Sequence, residues 1–145
     1  MMETDPPIII EQDFECAAIN LWNALCKSEE MRQWYFESIP NFEARLGFST
    51  RFWVDAGSRK FLHIWQITEV ISPQTLVYQW RFQDYCGCFE SRFEVTGDEQ
   101  GCHLKFTLNI LEDFPQDITE FTRQSGSEGW HYLINESLKR YLHRH

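Results

Sequence analysis

Residues 76–95 read LVYQWRFQDYCGCFESRFEV, and this stretch decides the fold class. Large apolar side chains alternate with other residues in two runs, which are Leu76, Tyr78, Trp80 and Phe82 and then Phe89, Phe93 and Val95. A period of two is typical of a β-strand that buries one face. Because Asp84 and Gly87 lie between the runs, the segment predicts two antiparallel strands that share an aromatic face.

The neighbouring sequence predicts more strands of the same kind. After Pro40 the alternation continues for about seventy residues, with further strands over residues 48–54, 61–71 and 104–110. Residues 61–71 are apolar on both faces, as expected of a central strand that is packed on two sides. Residues 8–14 predict a first strand. Because short turns join consecutive strands, we expect them to pair antiparallel.

Three segments show the helical period instead. Residues 16–26 and 28–35 predict two short helices, which carry Trp22 and Trp34. A longer C-terminal helix is predicted from an apolar stripe at i, i+3 and i+4 spacing, made of Trp130, Leu133, Ile134, Leu138, Tyr141 and Leu142. The predicted order is therefore β-α-α-β6-α.

The width of such a sheet predicts a pocket. Seven strands at a spacing of about 4.8 Å span roughly 30 Å, whereas one helix is only about 10–12 Å across. The sheet must curl around the helix, and any shortfall in filling becomes a cavity. The 12 Phe, 6 Trp and 5 Tyr exceed what a core alone usually needs. We therefore expect one α+β domain over residues 1–145, with an aromatic-lined pocket between sheet and helix.

The charge and the cysteines exclude several classes of partner and site. A net charge of -9 argues against nucleic acid and against an anionic membrane surface. No apolar run approaches the ~18 residues of a membrane span, and residues 1–7 do not resemble a signal peptide. We therefore expect a cytoplasmic protein without membrane insertion. Five cysteines with a single close pair, Cys86 and Cys88, favour free thiols and neither a disulfide framework nor a metal site.

Four pieces of the sequence resemble a known superfamily. They are LWNAL (21–25) with MRQWYF (31–36), EVISP (69–73), LVYQW (76–80), and EGW (128–130) leading to Leu133 and Leu138. In this order they resemble the helix-grip superfamily called SRPBCC or START-like, and most of all the bacterial homologues of the activator of the Hsp90 ATPase. The resemblance implies a seven-stranded antiparallel sheet that curls around the long C-terminal helix and encloses a hydrophobic cavity. Members bind lipids, sterols, polyketides or flavonoid-like molecules, and some act as cyclases or hydratases.

The candidate pocket-lining residues are mostly the aromatic ones on the predicted concave face. They are Trp34, Phe36, Phe52, Trp65, Tyr78, Trp80, Phe93, Phe106, Trp130 and His131. Tyr78 and Trp80 combine apolar rings with an O–H or N–H that can orient a ligand. His131 is turned by roughly 100° from Trp130 and is predicted at the pocket edge. His143 and His145 lie at the chain end and carry no prediction of function.

The sequence contains no recognisable catalytic motif. No spacing suggests a nucleophile paired with a base, a nucleophile elbow or a phosphate-binding loop, so we predict no catalytic residue and no cofactor. The first hypothesis is a binding protein for a small apolar or aromatic molecule of lipid-, sterol- or polyketide-like type. The second is an enzyme of cyclase, dehydratase or hydrolase type that acts on such a ligand. The third, which follows from the resemblance, is a stress protein that contacts a chaperone.

Overall fold

A six-stranded antiparallel sheet forms the frame of the molecule in the computed structural model, which describes residues 1–143. The strands are β1 (Ile8–Phe14), β2 (Ser49–Asp55), β3 (Lys60–Ile71), β4 (Thr75–Phe82), β5 (Cys88–Gly97) and β6 (Cys102–Glu112). Their order across the sheet is β1-β6-β5-β4-β3-β2, and every neighbouring pair is antiparallel. Only β1 reaches its neighbour from a distant part of the sequence, because the other strands pair with the next along the chain.

The prediction of seven strands is wrong, because the described residues form six. The alternation after Pro40 was expected to supply six strands after the two short helices, whereas the structure forms five there. Residues 41–47, where the alternation was expected to begin, form no strand. Phe42 instead turns into the core, where its ring lies 6.1 Å from that of Trp65. The chain enters β2 through Gly47, whose φ of 84° is accessible to glycine at little cost.

The predicted α-helices are present at both ends of the chain. Two short helices, α1 (Ala18–Cys26) and α2 (Ser28–Trp34), follow β1. After β6 come a 3-10 turn (Thr119–Phe121), α3 (Arg123–His131), a π-helical segment (Tyr132–Leu138) and α4 (Lys139–His143). Since these last three are continuous, they form one C-terminal helix over residues 123–143. The α+β class and the curled sheet with its C-terminal helix are therefore confirmed.

The C-terminal helix begins at Arg123, directly after its N-cap residue. Thr122 is the N-cap, and its hydroxyl accepts a hydrogen bond of 3.2 Å from the Ser125 amide. The helix buries a stripe with one member every four residues, made of Trp130, Ile134, Leu138 and Leu142. This stripe faces the sheet, so the N-terminal turns of the helix lie over the part of the interface that contains Trp130.

The two short helices fill one end of the space between sheet and C-terminal helix. Trp34 on α2 donates a hydrogen bond of 2.8 Å from Nε1 to the Ala24 carbonyl of α1. Ser137 of the C-terminal helix donates a 2.6 Å hydrogen bond to the Trp34 carbonyl. These hydrogen bonds fix α2 against the C-terminal helix. No helix fills the opposite end of the interface in the same way among the described residues.

Candidate functional site

An apolar cleft of about 160 Å³ lies between the sheet and the first turns of the C-terminal helix. Six aromatic rings line it, and they belong to Phe36, Trp80, Phe82, Phe89, Phe121 and Trp130. The remaining wall comes from Met1, Leu108, Glu120, Ser125, Gly126, Gly129 and Leu133. The cleft is therefore built from β4, β5, β6, the 3-10 turn and α3, which are distant in sequence and meet only in the fold.

Two larger depressions, of about 430 and 470 Å³, lie elsewhere on the molecule. The first is next to Cys16, Asn20 and Lys139, and the second is next to the β3–β4 turn and the end of β5. The first has one aromatic residue, Phe14, in its wall, and the second has none. We place the candidate site in the smaller cleft because an apolar, concave wall with few polar groups is what organic ligands require.

Trp80 stands at the centre of the sheet side of the cleft. Its ring centroid lies 5.0 Å from those of Trp65 and Phe89 and 5.7 Å from that of Trp130. Its Nε1 is buried and has no hydrogen-bond partner, in contrast to the bonded Nε1 of Trp34. A buried donor without a partner costs free energy, so an acceptor that reached this nitrogen would be stabilising.

Two glycines keep the helix side of the cleft open. A Cβ added at Gly129 would have no heavy atom within 4 Å, and one at Gly126 would lie 3.1 Å from the Met1 Sδ. Next to them, Trp130 stacks on Phe106 with a centroid distance of 4.1 Å and an interplanar angle of 24°. The cleft thus depends on the absence of side chains at two helical positions as much as on the rings around it.

Met1 closes one side of the cleft. Its amino group donates a hydrogen bond of 2.8 Å to the Phe121 carbonyl, and its carbonyl accepts one of 2.9 Å from the Phe114 amide. The Met1 side chain then lies against Gly126. The N-terminal residues are therefore held to the connection between β6 and α3, and they form part of the wall.

Among the described residues that line the cleft, Glu120 has the one charged side chain. Ser58 donates a hydrogen bond of 2.7 Å to its Oε2, and Arg59 Nε lies 3.6 Å from its Oε1. The Ser58 hydroxyl and the residue's own backbone amide hold the pKa of Glu120 below its ordinary value. Oε1 has almost no accessible surface and makes no side-chain hydrogen bond of normal geometry, so Arg59 is its ion-pair partner.

A second aromatic cluster is filled, and we call it the packed block. It consists of Trp34, Tyr35, Phe42, Trp65 and Tyr78, all buried. The hydroxyls of Tyr35 and Tyr78 lie 2.6 Å apart, and burial raises the pKa of both. The mutual hydrogen bond lets two phenols share a site that holds no other polar partner for them.

The structure places the ten predicted lining residues in the cleft, in the buried core around it and at the surface. Phe36, Trp80 and Trp130 line the cleft. Trp34, Phe52, Trp65, Tyr78, Phe93 and Phe106 are buried but do not line it. His131 is exposed, and its Nδ1 lies 3.0 Å from the Asn135 Nδ2. The role of any of the ten as a ligand contact stays a prediction.

His63 lies on the concave face rather than in solvent. Its ring is 7% exposed and lies 4.8 Å from Phe82 and 5.4 Å from Phe52. Burial lowers the pKa of His63 to about 3, so the imidazole is neutral at physiological pH. By contrast, His103 on the outer face is bonded to Asp13 and Glu11, and these hydrogen bonds raise the pKa of His103. His145 lies outside the described residues.

Sequence reasoning missed part of the wall. Phe82 shares the parity of Trp80 on its strand, Phe89 shares that of Phe93 on the next strand, and Leu133 was on the predicted helical stripe, so a periodicity signal existed for all three. Glu120 and Phe121 lie in a connection that has no period. No sequence pattern marks these two as neighbours of Trp80, because only the fold brings the connection over β4.

Residues 1–143 contain no group of three or more His, Cys, Asp or Glu side chains that could hold a metal ion. Within the same residues, no helix is both long enough and apolar enough to span a bilayer. The five cysteines are free thiols, and Cys16 and Cys102 are the pair in contact, with their Sγ atoms 4.0 Å apart.

The curled sheet, the long C-terminal helix and the space between them define a helix-grip domain. The family model described as "Activator of Hsp90 ATPase homolog 1-like protein" matches residues 15–143. The chain therefore belongs to this family, as its resemblance predicted. No curated protein sequence matches the chain.

Solved structures show the same fold at low sequence identity. The Mll3558 protein from Rhizobium loti is 17% identical with a TM-score of 0.80, over 94% of this chain and 96% of that one. The Aha1 dimer from Colwellia psychrerythraea is 17% identical with a TM-score of 0.70, over 95% and 96%. CalU16 from Micromonospora echinospora is 16% identical with a TM-score of 0.68, over 94% and 75%. Identities this low establish a common fold and nothing more specific.

Proposed function

We propose that the protein binds a small aromatic or apolar molecule in the cleft between the sheet and the C-terminal helix. The observation that carries the proposal is the cleft itself, which has six aromatic rings in its wall and two glycines that leave its helix side open. The aromatic rings of the wall can bury a ligand's apolar surface.

The size of the cleft narrows the ligand class. A cavity of about 150 Å³ is enough to bind benzene, whereas pockets for drug-sized ligands occupy about 300–1,000 Å³. At about 160 Å³, the cleft suits one aromatic ring or a fused pair. A sterol or a long acyl chain would require Met1 or Phe36 to move, so the proposal favours compact ring compounds over lipids.

A catalytic role has less support from the geometry. Apart from the Trp indoles, Glu120 and Ser125 are the polar side chains among the described lining residues. A cyclase, dehydratase or hydrolase needs several polar groups that converge on the reacting atoms. Catalysis and contact with a chaperone therefore stay predictions.

The test is a titration of the protein with naphthalene and with indole, in which calorimetry or NMR measures the affinity. Gly129→Leu places a side chain in the open space next to the helix and should weaken binding at least tenfold. The control is Glu128→Leu, since Glu128 is the preceding residue of the same helix, is exposed and does not line the cleft. Equal affinities in the two variants, or no binding of either probe by the unmodified protein, would contradict the proposal.

A further inference from the structure

Cys16 and Cys102 are the two thiols of the described chain that lie in contact, although 86 positions separate them in the sequence. Their Sγ atoms are 4.0 Å apart. Cys16 lies in the connection between β1 and α1, and Cys102 is the first residue of β6. Neither residue lines the aromatic cleft, so the pair is independent of the proposed ligand site.

The backbone on both sides of Cys16 holds the two thiols together. Phe14, two residues before Cys16, is the register partner of Cys102 on β6. The Ala18 amide, two residues after Cys16, donates a hydrogen bond of 2.8 Å to the Asp98 carbonyl in the β5–β6 turn. Because both flanks of Cys16 are attached to the same hairpin, the fold itself keeps the thiols in contact.

The two thiols differ in their access to solvent. Cys16 is half-buried and lines the open depression of about 430 Å³, whereas Cys102 is 7% exposed and does not line that depression. Burial, together with the charge of a Cys16 thiolate, raises the pKa of Cys102 to about 12. A reagent from solution therefore reaches Cys16 first, and Cys102 is a neutral thiol behind it.

We propose that Cys16 and Cys102 form a reversible disulfide by exchange with a small organic disulfide, so that the pair is a redox modification site. In the first step, the Cys16 thiolate attacks one sulfur of the reagent, forms a mixed disulfide and releases a thiolate, which takes up the proton that Cys16 lost. In the second step, the Cys102 sulfur attacks Cys16 Sγ and releases the second thiol, which takes up the Cys102 proton. The protein loses two hydrogens and two electrons, and the reagent is reduced to two thiols.

Closure of the disulfide needs only a small local change. The two sulfurs, at 4.0 Å, are about 2 Å beyond bonding distance, so a displacement of about 1 Å by each of them closes the bond. The mixed disulfide on Cys16 carries no charge, so the part of the raised pKa of Cys102 that comes from the Cys16 thiolate disappears at that stage. The contact also makes the second step intramolecular, which favours it over attack by a second protein molecule.

A metal site is the alternative use of two neighbouring thiols. Structural zinc takes four ligands, which are mostly Cys and His. Residues 1–143 contain no group of three or more His, Cys, Asp or Glu side chains that could hold a metal ion. His103, next to Cys102 in sequence, is bonded to Asp13 and Glu11. Disulfide formation is favoured because it requires two thiols and no third ligand.

The experiment treats the native, reduced protein with bis(2-hydroxyethyl) disulfide. This reagent is neutral, which matters because Glu15 and Glu99 line the depression and the net charge is -9, so anionic disulfides are disfavoured. After alkylation of the remaining thiols, peptide mapping by mass spectrometry should find Cys16 joined to Cys102, and dithiothreitol should reverse the link. The melting temperature of the oxidised protein should rise by at least about 5 °C, since a disulfide that closes a long loop restricts the unfolded chain.

Two variants assign the effect to this pair. Cys16→Ser should abolish both the link and the rise in melting temperature. Cys86→Ser is the matched control, because Cys86 is an exposed thiol outside the pair, and it should retain both. The peptide map of the unmodified protein needs no variant, so it stands even where a substitution impairs folding.

Three results would overturn the proposal. The first is a map in which Cys16 and Cys102 are not joined, including one in which the reagent stays on Cys16 as a mixed disulfide. The second is a link that gives no rise in melting temperature, because the native fold would then not accommodate the bond. The third is a rise that persists in Cys16→Ser. None of these results bears on ligand binding in the cleft, which the naphthalene and indole titrations test separately.

Discussion

The packed block and the open cleft contain the same kinds of side chain, yet one is filled and the other is not. In the packed block, the rings of Trp34 and Tyr35 stack with centroids 4.5 Å apart, and the Tyr35 ring lies 5.3 Å from that of Trp65 on the sheet. In the cleft, the helix contributes Gly126 and Gly129 to the wall, and the Met1 side chain lies against Gly126. The difference lies in what covers the rings.

This contrast shows why aromatic content alone does not locate a binding site. Trp65 and Trp80 are cross-strand partners on β3 and β4, and their side chains belong to the same concave face. Other members of the packed block contact Trp65, whereas the cleft borders part of the Trp80 ring. The residues that pack over a ring therefore decide whether that ring is structural or available to a ligand.

The largest expected effect is the loss of a ring from the packed block. Trp65→Ala should lower the free energy of unfolding by about 3–5 kcal/mol, because the side chain is 1% exposed and surrounded by other rings. Trp80→Ala should cost at least about 1 kcal/mol less, since part of its ring already borders empty space. Urea denaturation of both variants measures the difference. Equal costs would mean that the cleft is as well packed as the block.

A second prediction uses the pH dependence of His63, whose ring packs against the cleft-lining Phe36, Trp80 and Phe82. Its pKa is about 3 in the folded protein and 6.5 ordinarily, so between these values the unfolded chain binds more protons. Stability should therefore fall as the pH drops below about 6.5, and His63 should account for about 2 kcal/mol at pH 5. The free energy of unfolding is measured for the unmodified protein and for His63→Phe by denaturation at several pH values from 8 to 4.5. The difference between the two proteins isolates the contribution of His63.

His103 serves as the control for that experiment, because its pKa is raised rather than lowered. A raised pKa adds stability at low pH that is lost as the pH rises, which is the opposite sign. His103→Gln should thus retain the acid destabilisation that His63→Phe removes. If His63→Phe shows the same loss of stability below pH 6.5 as the unmodified protein, the imidazole is not held neutral in the core.

The smallest expected effect concerns the paired hydroxyls of the packed block. Tyr35→Phe or Tyr78→Phe alone leaves one buried hydroxyl without its 2.6 Å partner and should cost about 1–3 kcal/mol. The double variant removes both polar groups and should cost less than the sum of the two single changes. A double-mutant cycle by thermal or urea unfolding checks this. Strict additivity would show that the hydroxyls do not depend on each other.

The sequence predicted the fold more fully than the site, for a physical reason. Strand alternation and helical spacing are local, so β4, β5 and the buried stripe of the C-terminal helix could be read directly from the residues. Residues 41–47 could not be, because Phe42 leaves the alternating pattern to contact Trp65 across the core. The number of strands was therefore overestimated.

The site depends on contacts between distant segments. Trp80 and Trp130 were predicted because each belongs to a periodic element, but periodicity treats Trp65 and Trp80 alike. Only the placement of Met1 and Glu120 beside α3 distinguishes the cleft from the block. The contact of Met1 with Phe121 joins residues 120 positions apart, and no local pattern specifies it.

The six tryptophans allow one spectrum to test whether a ligand binds in the cleft rather than in the packed block. A titration with 2-naphthol, followed by the indole N–H resonances in a 1H–15N NMR experiment, reports on cleft, block and surface together. We expect the resonances of Trp80 and Trp130 to shift. Those of Trp34 and Trp65 in the packed block and of the exposed Trp53 should not change. Shifts at Trp34, Trp65 or Trp53 with none at Trp80 and Trp130 would contradict binding in the cleft.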